Sequence, residues 1–226
     1  MTNLNDITKH LFYSAWVLTI VQIIRVTAVT LIATDFPQMT LIADIAFDCS
    51  LTLFGIGLLR LRRTLNLVKN WMITPILFFI SAVLDILNII LTSTSVGDKW
   101  SSEPLVFLNL AVLLSTFLAL IVGFVFLKFN IDYLKEREFI ERKGQYYLPL
   151  GFSIHLIPSI IGWYGGYIGV TNVQIWQENL SLFVYLFATF LIILGFLGLS
   201  STMKLLQVWS YEQVSKSNVN EEKEDV

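Results

Sequence analysis

The chain has 226 residues, 55% of them hydrophobic and 14% charged, with a formal net charge of −2 and a mean hydropathy of +0.70. A soluble domain carries about a quarter charged residues, so the composition argues against one, and the small net charge offers no bulk attraction to nucleic acid. The single cysteine, Cys49, excludes an intramolecular disulfide and any cysteine-built metal or redox motif.

Six apolar segments, at 11–33, 41–59, 71–92, 105–127, 148–170 and 179–205, are each about long enough for a ~30 Å hydrocarbon core. They predict an all-α integral membrane protein, a bundle of six transmembrane helices. Residues 1–210 form one transmembrane domain, and the polar, acidic residues 211–226 are expected as a disordered cytoplasmic tail. The first segment is too long, and at Arg25 too polar, for a cleaved signal core, so it is expected to be retained.

Lys and Arg set the expected orientation. Arg60, Arg62, Arg63 and Lys69 lie between the second and third segments, and Lys128, Lys135, Arg137, Arg142 and Lys143 between the fourth and fifth. The alternate connections carry Lys99 alone. The positive-inside rule then places both termini in the cytoplasm. The membrane is expected to be a plasma or inner membrane rather than an organelle membrane. Trp71 and Trp209 read as inner interfacial anchors, Trp100 and Trp176 as outer ones.

Arg25 lies within the first apolar segment, where an unpaired guanidinium costs several kcal/mol. Thr19, Gln22 and Arg25 share an arc of about 120°. In the second segment Asp44, Asp48, Thr52 and Gly55 recur on one helical face, and in the third so do Ser81, Asp85, Asn88 and Thr92. At 1.5 Å per residue, Arg25, Asp48 and Asp85 each come to roughly 20 Å above the cytoplasmic boundary. Asp44 is about one turn shallower, and Asn88 and Asn109 reach similar outer-half heights. Arg25 is expected to face acids, Asp48 or Asp85 first. One Arg cannot neutralise three Asp, so the surplus acids must be protonated, hydrated or bound to a cation.

The fifth segment puts Gly151, His155, Ser159, Gly162 and Gly166 on one small-residue face, with Pro158 expected to kink the helix. His155, about 10–12 Å in from the cytoplasmic side, is a candidate proton relay.

Enzyme readings are weaker. The only histidines are His10 and His155, which argues against a zinc hydrolase or a bis-histidine haem carrier. No G-x-S-x-G occurs, no cofactor is expected, and any metal is undefined. The sequence therefore favours a small transport or channel-type protein. Its outer-half site, built from Arg25, Asp44, Asp48, Asp85, Asn88 and Asn109, would bind a proton, cation or small polar solute. The other reading is a non-transporting accessory or scaffold subunit whose charge cluster is purely structural. The expected partners are the lipid bilayer and either a second membrane protein or further copies of the chain.

Overall fold

Apolar residues at helical spacing run through all six segments, and each becomes a helix: α1 (Leu4–Thr27), α2 (Pro37–Thr64), α3 (Ile73–Ser95), α4 (Glu103–Lys135), α5 (Tyr147–Ile168) and α6 (Ile175–Glu224). A short 3₁₀ turn, Lys69–Met72, leads into α3. The computed structural model describes residues 4–27, 37–65, 67, 69–95, 103–135, 146–168 and 175–224, and among these there is no strand. The connecting segments, with Trp100 and the inner charged stretch 136–145, lie outside the described residues, as do the side chains of Thr92, Gly162, Gly166 and Trp176.

Among the described residues, five helices contain stretches long and apolar enough to cross a membrane, namely Leu4–Thr27, Leu41–Thr64, Asn70–Leu91, Phe107–Leu134 and Leu182–Glu212. The described apolar part of α5, Tyr147–Ile161, is shorter. The outer surface is apolar. Val17, Ile20 and Ile24 on α1, Val83 and Ile90 on α3, and Phe183 and Phe190 on α6 are all exposed. Water would penalise such contiguous apolar surface, and lipid does not.

Each helix packs on its chain neighbours, and α6 returns to pack on α1, which closes the six helices into a ring. Neighbours run antiparallel, as their contacts show. Thr8 meets Ser210 and Thr19 meets Ser200 through their hydroxyls, at 3.0 and 3.3 Å. Asn130 Nδ2 donates to Thr74 Oγ1 at 3.2 Å, tying the far end of α4 to the start of α3. Small residues allow close approach. A Cβ at Gly57 would stand 2.7 Å from Leu11 Cδ2, and one at Gly195 would stand 2.6 Å from Leu148 Cγ.

The ring's interior is packed with phenylalanine. Phe47, Phe54, Phe78, Phe124, Phe152 and Phe196 come from five helices and are almost wholly buried. Phe124 stacks on Phe152 with centroids 5.5 Å apart, and Phe196 meets Phe124 edge-on at 5.8 Å. Aromatic pairs of this kind contribute about 0.5–1.5 kcal/mol beyond their buried area.

The observed elements depart from the expected ones in three respects. Most helices outrun their predicted bounds, because the apolar windows mark only the lipid-facing middle of each. The stretch from residue 211 onwards, expected as a disordered tail, continues α6 as helix to Glu224. It contains neither Gly nor Pro and carries four Glu and two Lys, which propagate a helix well. Trp71, expected at the membrane interface, is 1% exposed, because its 3₁₀ turn tucks between α2, α3 and α4.

Candidate functional site

Each helix turns a buried stripe towards the ring axis, and along that stripe the chemistry changes. On α1, Ile7, Leu11, Ala15 and Leu18 are followed one turn later by Gln22 and then by Arg25. On α2, read from its C-terminal end, Leu58, Phe54 and Leu51 give way to Asp48, Phe47 and Asp44. On α3, Phe78 is followed by Ser81, Asp85 and Asn88, and on α5, Phe152 is followed by His155 and Ser159. Because neighbours are antiparallel, these polar turns fall at the same level. The phenylalanine core therefore fills one part of the ring, and a polar cavity of about 130 Å³ lies above it, with residues of all six helices in its wall.

Arg25, Asp44, Asp48, Asp85, Asn88 and His155 all line this cavity. The structure thus brings together five residues of the predicted cluster and adds the relay candidate to the same chamber. Asn109 is buried on α4 but does not line it. Arg25 meets Asp44, with Nε 2.5 Å from Oδ1 and both side chains 25% exposed. Sequence reasoning favoured Asp48 or Asp85 as its partner, so this is a correction. The pair forms at the partly exposed rim, where two charges lose less hydration than they would at the depth of Asp48. Arg25 also lies over the Phe47 ring at 5.5 Å, so its apolar contact is with the top of the aromatic core. Asp48 and Asp85 remain within electrostatic reach of the same guanidinium.

Asp48 is deeper, at 4% exposure, and its Oδ2 has no hydrogen-bond partner among the described residues. Gln22 is 2% exposed, and its Oε1 is likewise unmatched. A buried acceptor without a donor costs about 1–3 kcal/mol, and Asp48 and Gln22 each carry one. With formal charges counted, the chamber holds three acids and one cation. Acids outnumber cations among the lining residues, and both unmatched atoms are acceptors.

His155 is held as a stacked ring. Phe117 lies parallel to it at 5.5 Å and Tyr185 packs at 5.0 Å. Ser159 Oγ donates to the His155 carbonyl at 3.0 Å and lies 3.3 Å from Nδ1. Pro158 is inside α5, as the sequence indicated. Sequence reasoning missed Phe47, Thr116, Phe117 and Phe152, which also line the chamber. Aromatic residues are spread through every span, so no pattern separates those that face the cavity from those that face lipid.

Among the described residues no group of three or more His, Cys, Asp or Glu is arranged to hold a metal ion. Comparison with models of protein families, with curated proteins and with solved structures returned no match.

Proposed function

We propose that the chain is a six-span membrane protein of transport or channel type, with both termini cytoplasmic, whose chamber binds a cation, a proton or a small polar solute. The orientation rests on the Lys and Arg of the connections between α2 and α3 and between α4 and α5. That leaves the chamber in the half of the bundle away from the cytoplasm, with the Arg25–Asp44 pair at its rim. The observation that carries the reading is Asp48: a carboxylate at 4% exposure with an unmatched oxygen, in a chamber where three acids face one guanidinium. A cation or donor that enters past the rim meets Asp48 and Asp85 and supplies what they lack. His155, which lines the same chamber, would pass a proton between the acids and the inward side.

Size narrows the ligand. Cavities that enclose a drug-sized molecule measure about 300–1,000 Å³, whereas this chamber is about 130 Å³. It suits a partly hydrated ion or one small cationic group. The test is flux in proteoliposomes, with the purified full chain and gradients of H⁺, Na⁺ or methylammonium. Uptake of one of these, abolished by Asp48→Asn and by Asp85→Asn, supports the reading. No uptake of any of them, from protein that is folded in the vesicles, overturns transport.

One observation favours a second reading, the accessory or scaffold subunit. The Arg25–Asp44 pair and the Arg25–Phe47 contact both tie α1 to α2, as a purely structural network would.

A further inference from the structure

Asp48 faces two ways. It lines the polar chamber, and together with Ile89 it also lines a second, larger hollow on the outer surface between α2 and α3. This groove measures about 730 Å³ and is walled by Leu41, Ile45 and Leu53 of α2 and by Ile86 and Ile90 of α3, with Ala82 beneath. Those five wall residues are each 40–51% exposed on the apolar face that lipid would cover. An apolar groove open to the bilayer and an acidic chamber therefore meet at one carboxylate, whose Oδ2 has no hydrogen-bond partner among the described residues.

We infer that the ligand of this site is an amphiphile with a small cationic head and one apolar tail. It enters sideways from the membrane, with its head in the chamber on Asp48 and Asp85 and its tail in the α2–α3 groove. The inference rests on the chamber being a cation site and adds the tail and the route. The two volumes divide as such a molecule does: about 130 Å³ of acidic chamber for the head and about 730 Å³ of apolar groove for the tail. Charge selects the head, since three acids face one guanidinium. A tail gains little by leaving lipid for an apolar groove, because lipid is equally apolar. Selectivity therefore belongs to the head group, and the tail fixes only where the molecule sits.

Cys49 reports on the groove directly. It is the only cysteine, it is exposed, and it lines the groove one residue from Asp48. The experiment measures the alkylation rate of Cys49 by N-ethylmaleimide, read by mass spectrometry, on the full chain in nonionic detergent micelles. Decylamine, decanol and decanoate are compared at equal mole fraction, and the thermal stability of the same samples is measured with methylammonium. Decylamine is expected to slow alkylation at least threefold relative to decanol and decanoate. Ile86→Trp, a change at a lipid-facing position that fills the groove without touching the chamber, should remove the difference while methylammonium still stabilises the protein. Equal alkylation rates with all three amphiphiles, alongside stabilisation by methylammonium, would overturn the lateral amphiphile and leave the cation chamber standing. Equal rates with no stabilisation by methylammonium would overturn both.

Discussion

Arg25 is paired with Asp44 at the rim of the chamber, Nε to Oδ1 at 2.5 Å, while Asp48, one turn further along α2, keeps an unmatched oxygen below it. The spacing on α2 creates this division. Two acids at i and i+4 share a face, but only one can hold the guanidinium in this geometry. The rim acid closes an ion pair, and the deeper acid is left available.

Removing Arg25 should therefore cost more than removing a surface charge. Exposed pairs contribute about 0.2–1 kcal/mol and loss of one partner of a buried pair costs about 3–5 kcal/mol. At 25% exposure of both side chains, Arg25→Gln is expected to destabilise by about 1–3 kcal/mol. The double variant Arg25→Gln, Asp44→Asn should recover part of that loss. A double-mutant cycle on thermal unfolding in detergent checks it, and strictly additive losses would show that the pair is not coupled.

Gly195 and Gly55 should respond differently to the same change. A Cβ at Gly195 would meet Leu148 at 2.6–2.8 Å, including its backbone nitrogen, whereas a Cβ at Gly55 would find nothing closer than 3.6 Å. Gly195→Ala is expected to destabilise by about 1–3 kcal/mol through overpacking of α5 on α6. Gly55→Ala should be neutral or slightly stabilising, because alanine is the better helix former. Thermal melts of the two variants side by side decide the matter.

His155 offers a separation of fold from function. Its ring stacks on Phe117 and meets a tilted Tyr185, so His155→Phe preserves an aromatic ring in an aromatic slot. Its unfolding temperature should stay within about 4 °C of wild type, the shift that roughly 1 kcal/mol produces in a chain of this size. Proton flux in proteoliposomes should fall on the order of tenfold or more, since the ring nitrogens are gone. Unchanged flux at unchanged stability would remove His155 from the proton path.

The charged half of the site was legible because charge inside an apolar span has few explanations. Asp44 and Asp48 at i and i+4, and Asp85 and Asn88 at i and i+3, announce a face regardless of how the helices are arranged. Their partners were not legible. Which acid takes Arg25 depends on how each helix is rotated about its axis, and a periodicity fixes which residues share a face without fixing where that face points. Asn109 shows the same limit: it is polar and buried, yet it stands outside the chamber wall. The closure of the ring was equally hidden. It depends on α1 and α6 meeting through Thr8–Ser210 and Thr19–Ser200, nearly the whole chain apart, and small hydroxyl residues in apolar helices carry no label saying which helix they serve. The end of α6 was hard to read for a different reason. Acidic, polar composition marks solvent exposure, which a projecting helix shares with a disordered tail.

The most direct measurement is the thermal stability of the purified chain across a panel of cations, amines and amino acids, between about pH 5 and 8, the range in which folded proteins are ordinarily most stable. Wild type is measured beside Asp48→Asn and Asp85→Asn. A ligand at roughly 100 times its dissociation constant stabilises by about 2.7 kcal/mol, or about 5–10 °C for a chain of this length. The account predicts such a rise with at least one cationic compound, and its loss in both variants. A flat response across the panel, with both variants merely less stable than wild type, would contradict it and leave the charges of the chamber as structural ties between helices.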